Sequence, residues 1–520
     1  MVLITDNLLY DALALLATLV VAFILYAKWT YSYFTRKGLY QDQPTIPIGN
    51  ALKVFKGEQI FGELWRDLYN TLKSKNLRHG GGYFMINKFY VPADLDIVKS
   101  ILVTDFQNFI DHGMYINEKD DPVSANLFGI AGPKWKSMRA KLTPTFTSGK
   151  MKMMFDTLVE YSGTLDSMLN DFAEKEEALE IKDVLQKFTI DIIVSVAFGI
   201  ESDSMKNPQS DFTKYAQMIF KMDLKEFIRN LAVFSLPHSL LHALKVIVWN
   251  KKSTDFFINV IKKNMEYREK NNIIRNDFFH LLLQLKNRGQ ISDDKKVTRD
   301  KESALEGLTF NELAAQAFVF FIAGYETSST AMTFTILELA QRPDLQIKMR
   351  DEINSVLKKH DNKLTFDGLK EMTYMEQVLQ ESMRKHPPVA FIPRKCTKAY
   401  TIPGTDITID EGVMVSISTL GIHNDPEIYP EPEKFDPDRF SPENQSTRHP
   451  FSWIPFGEGP RVCIGLRFGM MQAKVGLVTL LRNYSFTLNE KTSLPIKYDV
   501  KTLNVTSVDG GVWINVKKVN

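Results

Sequence analysis

The sequence predicts a mainly α-helical protein with small β-sheets, placed behind an N-terminal membrane helix. An apolar run opens the chain, and residues 151–286 and 309–341 have a mostly helical pattern. Strand-like alternation is confined to short segments, and residues 83–100 predict short strands followed by a helix. No repeat or low-complexity tract divides the chain after residue 50, so we expect residues 51–520 to form one large domain.

Composition narrows the class of function. The 520 residues carry a formal net charge of +2, so the charge of the whole chain gives no reason to expect a nucleic-acid partner. There are 2 cysteines, too few for a disulfide framework or a four-cysteine zinc site. Such sparse cysteine usage is typical of a chain that faces the reducing cytosol.

The first element is the apolar run from Leu8 to Ala27, which is about as long as a helix that crosses a bilayer. It is followed by three basic residues, Lys28, Arg36 and Lys37. Because a basic flank stays on the cytoplasmic side, we expect the rest of the chain to lie there as well. No small-residue cleavage site follows the run, which favours an uncleaved anchor over residues 1–30. The alternative interpretation is a buried core helix.

Residues 31–50 are basic at their start and rich in proline at their end. The stretch Pro44–Asn50 contains two prolines and a glycine, which oppose a helix and give a stiff connector. We therefore expect a hinge between the anchor and the large domain.

Two pairs of polar residues have helical spacing. Trp135 and Arg139 are four apart, so an indole N–H and a guanidinium share one helix face and suit a carboxylate. Glu381 and Arg384 are three apart on a helix for which we expect a capping box of Thr373 and Glu376. Taken alone, each pair is more often a solvated helix face.

A long helix should begin at a capping box of Thr309 and Glu312 and end near Gln341, spanning roughly 45 Å. Its middle reads AGYET, from Ala323 to Thr327. A glycine, an acid and a hydroxyl are poor choices for a helix interior, and a buried acid needs a hydrogen bond or a proton. Glu326 and Thr327 are therefore candidate functional residues.

The stretch FGEGPRVCIG, residues 456–465, contains Cys463 between glycines and just before an apolar helical run. Backbone N–H groups and a helix N-terminus should favour the thiolate there, and the glycines allow a bulky group to approach. A single thiolate presented in this way suits haem iron. The alternative for a lone cysteine is a buried structural role.

These motifs resemble, in their identity and order, those of the cytochrome P450 family. The matches are W-x-x-x-R, A-G-x-[D/E]-T, E-x-x-R, a proline-rich meander with Arg439, and F-x-x-G-x-R-x-C-x-G. The stretch PTFTSGK at residues 144–150 and the GEGPRVCIG sequence of the cysteine loop are similar to insect microsomal members of the sixth family. The resemblance implies the cytochrome P450 fold, a helix-rich domain plus a minor β region.

The resemblance also implies roles for individual residues. Cys463 would be the axial ligand of haem b iron, in a loop whose other matching positions are Phe456, Gly459, Arg461 and Gly465. The haem propionates would be held by Trp135, Arg139, Arg394 and Arg461. Thr327 and Glu326 would deliver protons during oxygen activation. The structural trio of Glu381, Arg384 and Arg439 would pin the meander behind the haem loop.

The activity implied is a monooxygenase that inserts one atom of O2 into apolar small molecules. Electrons would come from NADPH through the membrane-bound NADPH–cytochrome P450 reductase, since this chain has no flavin or nicotinamide motif. Substrates would be xenobiotics such as plant toxins and insecticides, with endogenous lipids or hormones as the alternative. The expected location is the endoplasmic reticulum membrane, with lipid contacts and the catalytic domain on the cytoplasmic face.

Two other functions remain open from the sequence. A haem-thiolate enzyme that rearranges peroxides would need neither oxygen nor a reductase, and the acid–threonine pair argues against it. A haem carrier or sensor would need no membrane anchor. The apolar segment 231–237, between predicted helices, is either core or a membrane contact. Candidate pocket residues, each equally consistent with ordinary core, are Phe106, Phe128, Phe318, Phe321 and Phe391.

Overall fold

The computed structural model describes residues 7–207, 209–220, 223–291, 306–502 and 505–519. Helices form most of the described chain, as the sequence predicts. They are α1 (Leu8–Tyr31), α2 (Tyr33–Arg36), α3 (Leu52–Phe55), α4 (Phe61–Ser74), α5 (Leu95–Lys99), α6 (Gly132–Leu142), α7 (Ser148–Lys175), α8 (Ile181–Ala197), α9 (Asp211–Phe220), α10 (Leu224–Ser235), α11 (His238–Ala243), α12 (Lys251–Asn271), α13 (Phe278–Arg288), α14 (Phe310–Ala340), α15 (Pro343–Lys359), α16 (Phe366–Glu371), α17 (Thr373–Lys385), α18 (Thr419–His423), α19 (Pro442–Ser446) and α20 (Leu466–Asn483).

Short strands form small sheets beside the helices, which confirms the predicted minor β region. They are β1 (His79–Phe84), β2 (Asn87–Pro92), β3 (Leu179–Glu180), β4 (Ile392–Lys395), β5 (Tyr400–Thr401), β6 (Thr408–Ile409), β7 (Met414–Ile417), β8 (Tyr484–Leu488) and β9 (Trp513–Lys518). Among the described residues the sheet orders are β1-β2-β7-β4, β3-β9-β8 and β5-β6. The β2–β7 pair is parallel and the other pairs are antiparallel.

Helix α14 runs through the core and contacts α8, α13, α17 and α20. The predicted capping box is present: the Thr309 hydroxyl accepts the Glu312 N–H, and the Glu312 carboxylate accepts the Thr309 N–H at 2.9 Å. From Leu313 to Ala340 nearly every side chain is buried. A helix that is apolar nearly all round is stable only inside a large core, and this one crosses the domain.

Helix α1 is different, because most of its apolar side chains are exposed. Within the described chain, Leu9–Tyr31 is the one helix long and apolar enough to cross a membrane. Its last residue connects the helix to the following segment and to the turn between β1 and β2: the Tyr31 hydroxyl lies 3.0 Å from the carbonyl oxygens of both Pro47 and Met85. The division into residues 1–30, 31–50 and 51–520 stays a prediction.

Two local predictions are wrong. Thr373 and Glu376 form no capping box, because the Glu352 carboxylate of α15 accepts the N–H groups of Tyr374 and Met375 at 2.7 and 2.9 Å. Most of the segment 231–237 is not a linker between helices, since its first five residues belong to α10. The sequence also predicts a break in the helices over residues 199–208, an exposed polar loop over 286–307 and a C-terminal hairpin over 503–513. Of these, residues 208, 292–305 and 503–504 lie outside the described residues.

Candidate active site

The loop containing Cys463 is built by tight backbone turns. The Cys463 N–H donates to the Phe456 carbonyl at 2.9 Å, and a short 3-10 turn spans Gly459–Arg461. Gly459 has a φ of +75°, and a Cβ there would lie 2.0 Å from the Leu102 carbonyl oxygen. Only glycine fits this contact. The glycine at this position therefore allows the loop to pack directly against the segment Ser100–Thr104.

Cys463 itself is exposed although it lies deep among protein atoms, so its surface faces an internal space. A Cβ on Gly465, two residues on, would meet nothing within 4 Å. Burial raises the pKa of the Cys463 thiol, while the Gly465 N–H and the Arg139 guanidinium lower it. The predicted effect of the loop is present, since the Gly465 N–H favours the thiolate, although burial has the larger effect on the pKa. A bound metal would reverse it.

The middle of α14 also has an accessible position. Ala323 is exposed within an otherwise buried stretch, and the Thr327 hydroxyl donates to the Ala323 carbonyl at 2.6 Å. A Cβ on Gly469 of α20, which begins just after the cysteine loop, would lie 3.8 Å from Ser328 Oγ of α14. Gly324 lies close to α8, which the sequence did not reveal: a Cβ there would lie 2.7 Å from the end of the Ile193 side chain.

Glu326 faces α8 rather than the side of Thr327. It is 4 % exposed, and its carboxylate pairs with the Lys182 ammonium at 2.8 Å. The Gln186 amide donates to the other oxygen at 2.7 Å. The two members of the acid–threonine pair are therefore adjacent in sequence but bond in different directions.

A second cluster brings together Arg394, Arg461 and Trp135. The guanidinium carbon of Arg461 lies 4.2 Å from the centre of the Trp135 ring, and its N–H groups donate to the carbonyls of Ile110 and Ile130 at 2.7 and 2.9 Å. The Arg394 guanidinium donates to the Pro393 carbonyl at 2.8 Å, and its Nε has no hydrogen-bond partner in the described chain. Burial lowers the pKa of Arg394 to about 10, and burial together with Arg394 lowers that of Arg461 to about 9.

The cluster is therefore positively charged, and its charge is only weakly balanced by acidic groups. The carboxylate of Asp111 lies 3.7 Å from Arg461, too far for a good hydrogen bond. His112 also belongs to the cluster, with its Nδ1 at 2.9 Å from the Phe128 carbonyl oxygen. Burial and the two arginines hold the pKa of His112 well below its usual range. Sequence reasoning missed His112, because no motif surrounds it.

Glu381, Arg384 and Arg439 also meet, behind the cysteine loop. Arg384 makes two bonds to the Glu381 carboxylate, at 2.7 and 3.0 Å, and Arg439 approaches it at 3.5 Å. Both Glu381 and Arg384 are fully buried. Sequence reasoning also missed His423, whose backbone carbonyl accepts a hydrogen bond from Arg384. Its ring accepts the Ile454 N–H at 2.9 Å, which connects this cluster to the segment just before the cysteine loop.

The remaining predicted residues have plain positions. Arg139 is half-buried, and it lies close enough to Cys463 to lower the pKa of the thiol. Phe456 is partly buried and packs against Trp453. Phe318 and Phe321 pack on Phe257 in the core. Three other candidate pocket aromatics pack on protein: Phe106 on Trp135, Phe128 on His112 and Phe391 on Phe61.

The donor set fits a haem. A single accessible sulfur inside the protein suits one axial bond to iron, and the open space beside Gly465 allows a flat group to lie close to the backbone. Two buried guanidiniums without a carboxylate at bonding distance suit the two acidic groups of such a ligand. These features define the class of a haem-thiolate protein.

Comparison with known proteins leads to the same class. The cytochrome P450 family model matches residues 56–509. The chain is 40 % identical over 512 residues to probable cytochrome P450 6a19 of Drosophila melanogaster, covering 98 % of this chain and 99 % of the relative. It is 37 % identical over 493 residues to cytochrome P450 6a2 of the same species, covering 94 % of this chain and 96 % of that relative. It is 38 % identical over 509 residues to cytochrome P450 6a8 of the same species, covering 98 % of this chain and 98 % of that relative. The chain belongs to the cytochrome P450 family and is a monooxygenase.

Proposed function

We propose that this cytochrome P450 oxidises apolar small molecules, including xenobiotics such as plant toxins and insecticides, with electrons from NADPH through the cytochrome P450 reductase. The observation that carries the proposal is the accessible Cys463 sulfur, in the same loop as the buried Arg461. Full-length similarity to cytochromes P450 of the 6a group supports it.

In this proposal Cys463 binds the iron of haem b, and Arg394, Arg461, Trp135 and Arg139 hold its propionates. Haem ligated by thiolate supplies the activation of O2 and the insertion of one oxygen atom into the substrate. The buried guanidiniums would gain the carboxylates that the described chain does not give them, which would fix the orientation of the ligand.

Thr327 would hold a proton donor at the internal space. Its hydroxyl already bonds to the Ala323 carbonyl, so its oxygen is positioned to accept a hydrogen bond from water on that side. The peptide groups near Gly324 lie against α8, which keeps this part of α14 in place. Replacing Thr327 by alanine should divert NADPH-derived electrons from product to hydrogen peroxide.

The reductase would dock on the face beside the cysteine loop. Exposed basic side chains are present at Lys136 on α6, at Lys152 on α7 and at Arg467 at the start of α20, directly after the cysteine loop. An electron donor with an acidic surface would be attracted to this face, and the attraction would weaken as salt is added. Reversing the charge of Lys136 and Arg467 should raise the reductase concentration needed for half-maximal turnover.

The membrane contact would include α1 and a second apolar surface. Leu224 and Ile228 of α10 and Leu240 of α11 are exposed, in contrast to the half-buried residues 231–236. Isolated apolar residues on a surface are ordinary, but several on neighbouring short helices suit a bilayer surface. The endoplasmic reticulum membrane, with the domain on the cytoplasmic face, is the proposed location.

The test is reconstitution of the full chain with haem, reductase and NADPH in vesicles. We expect a substrate-induced spectral change with apolar plant toxins or insecticides, followed by NADPH- and O2-dependent oxygenated product. A purified haem protein that binds such compounds but forms product from peroxide alone, and never from NADPH and reductase, would contradict the proposal.

A further inference from the structure

The loop of residues 111–131, which precedes α6, contacts the candidate active site. Arg461 of the cysteine loop donates to the Ile130 carbonyl at 2.9 Å. The Leu127 N–H donates to the side-chain oxygen of Gln316 on α14 at 2.9 Å. A displacement of the 111–131 loop would therefore also displace groups at the site where we propose that haem binds.

The middle of the 111–131 loop is bonded to the 246–250 segment, which leads into α12. The Tyr115 hydroxyl and the Asn117 side-chain amide both donate to the Val246 carbonyl, at 2.9 and 3.1 Å. Both partners are irregular segments, and segments joined by a few hydrogen bonds rather than by a shared core open at a low cost in free energy. We call this contact the loop–α12 junction.

Asp121 is the acidic residue of the loop–α12 junction, and it is 3 % exposed. Its Oδ2 accepts the N–H groups of Val248 and Trp249 at 2.9 and 3.0 Å. Its Oδ1 is buried and has no hydrogen-bond partner in the described chain. Burial raises the pKa of this carboxyl group, whereas the two N–H groups and the nearby Arg229 lower it. Asp121 can therefore accept one further hydrogen bond, and a buried acceptor without a donor costs free energy.

Arg229 of α10 has the complementary deficiency. Its guanidinium pairs with Glu226, one turn earlier on α10, and its Nη1 donates to the Trp249 carbonyl at 3.4 Å. Its Nε is buried and, among the described residues, has no acceptor. Because the Trp249 N–H bonds to Asp121 and the Trp249 carbonyl bonds to Arg229, the two charged side chains lie beside the same residue. Each offers the group that the other lacks.

Lys251 is the other cation close to Asp121. Its ammonium pairs with the Asp255 carboxylate at 2.9 Å, and these two side chains are 67 % and 52 % exposed. Water therefore competes with any further contact of Lys251. Arg229, whose side chain is 16 % exposed, is the better partner for a buried carboxylate.

We propose that Asp121 is a positioning residue that holds the loop–α12 junction closed, and that Arg229 pairs directly with its free oxygen when α10 moves toward the loop. The direct pair satisfies Oδ1 and Nε together with a charge-assisted hydrogen bond. The inference deepens the proposed function and rests on it, because a closed junction keeps an apolar substrate beside the proposed haem. The two residues therefore set how long a bulky ligand remains bound.

The first test follows the release of 4-phenylimidazole, a flat apolar molecule whose nitrogen binds haem iron, from the full-length haem-loaded protein in vesicles. The absorption spectrum distinguishes the bound and free forms, and excess carbon monoxide captures the reduced protein after release. Asp121→Ala removes the acceptor of two N–H groups, so release should be about tenfold to hundredfold faster. Asp121→Asn keeps a neutral acceptor and should give a smaller increase, so it carries the test if Asp121→Ala does not fold.

Hydrogen exchange of the same variants shows where the structure opens. In Asp121→Ala the backbone N–H groups of Val248 and Trp249 should exchange faster than in the wild type, because they have lost their acceptor. The backbone N–H groups of α14 should exchange at wild-type rates. Faster exchange throughout the domain would overturn a local role of Asp121.

The second test separates the Asp121–Arg229 pair from ordinary packing. Arg229→Gln should speed release by less than Asp121→Ala. Its effect should not add to that of Asp121→Asn in the double variant, because either change alone removes the pair. Glu226→Gln removes the acid that competes for Arg229, so release should become slower than in the wild type. A purely structural role of Glu226 would instead make release faster.

Two control variants change charges close to the junction without touching the pair. Glu118→Gln removes an exposed acid of the same loop, which pairs with Lys134 at 2.7 Å. Lys251→Met removes the other cation close to Asp121. Both variants should release 4-phenylimidazole at the wild-type rate. Binding of carbon monoxide to the ligand-free protein should change little in every variant, since a diatomic molecule does not need the junction to open.

The outcomes distinguish failure of this inference from failure of the proposed function. Wild-type release rates in the Asp121 variants would overturn the positioning role of Asp121. Additive effects of Asp121→Asn and Arg229→Gln, or faster release from Glu226→Gln, would overturn the pair with Arg229. None of these measurements uses NADPH or reductase. A protein that has the expected release rates but forms no oxygenated product with NADPH and reductase would therefore overturn the proposed function alone.

Discussion

Two clusters of buried arginines in this domain differ in the groups that accept their hydrogen bonds. At Glu381, the Arg384 guanidinium makes two charged hydrogen bonds to one carboxylate, and the Asp436 N–H adds a third at 2.9 Å. At Trp135, Arg394 and Arg461 are also buried but donate to backbone carbonyls. A buried cation costs free energy unless it is paired. The first cluster is therefore complete within the chain, whereas the second is suited to the acid groups of a ligand.

The contrast distinguishes residues that stabilise the fold from residues that we propose bind the cofactor. Glu381 and Arg384 lie three positions apart on α17, whereas Arg394 lies on β4 and Arg461 in the cysteine loop. What distinguishes them is the charge that each arginine meets in three dimensions. Breaking either cluster should therefore have different consequences.

The largest effect should come from Glu381→Gln. Two buried guanidiniums would lose their counter-charge, which costs about 3–5 kcal/mol of folding free energy. We expect little folded protein and a much lower thermal denaturation midpoint, whether or not haem is supplied. Glu443→Gln, on the exposed surface of α19, is the control and should resemble the wild type. Equal stability of Glu381→Gln and wild type would show that the cluster is not structural.

Arg394→Met should have the opposite pattern. The buried Arg394 guanidinium donates to the Pro393 carbonyl but has no charged partner in the described chain, so removing it should leave the stability of the haem-free protein nearly unchanged. Loss of a charged hydrogen bond worth about 1.5–3 kcal/mol should speed haem release to a scavenging apoprotein by about tenfold to hundredfold. Arg350→Met, whose guanidinium bonds to the carbonyls of Leu481 and Tyr484 away from the site, should release haem at the wild-type rate. Unaltered haem release from Arg394→Met would refute its ligand role.

A smaller effect should appear as pH falls, through His423 beside the Glu381 cluster. Burial, with Arg384 nearby, lowers the pKa of His423 to about 3, below its unfolded value of about 6.5. The unfolded chain then binds a proton that the folded chain does not, so stability falls as pH drops below about 6.5. Between pH 7 and 5 this amounts to about 2 kcal/mol.

The measurement is the free energy of unfolding of wild type and His423→Gln at both pH values. Glutamine retains an acceptor for the Ile454 N–H but cannot titrate, so the variant should lose about 2 kcal/mol less than the wild type over this range. His449→Gln, at a partly exposed position, is the matched control. Parallel pH curves for wild type and His423→Gln would contradict the account.

The sequence predicted those parts of the molecule whose chemistry is local. The apolar helix α1, the limits of α14 and the turns of the cysteine loop follow from runs, caps and glycines that lie next to one another. The pairing of Glu381 with Arg384 follows from helical spacing. The functional roles assigned to these residues stay predictions until the variants are measured.

The parts that the sequence did not reveal depend on distant residues. His112 meets Arg461, which lies 349 positions away, and Lys182 meets Glu326 across two helices. The capping box predicted for α17 is absent because Glu352, on another helix, satisfies the same N–H groups. A local sequence pattern cannot show which of several possible partners the tertiary packing brings into contact.

The central claim is that Cys463 supplies sulfur to haem iron. The most direct measurement is the absorption spectrum of the reduced, carbon-monoxide-bound protein for wild type and Cys463→His. We expect the wild type to show the red-shifted band that marks a sulfur ligand and the variant to bind haem without it. A variant that keeps the red-shifted band would contradict the claim.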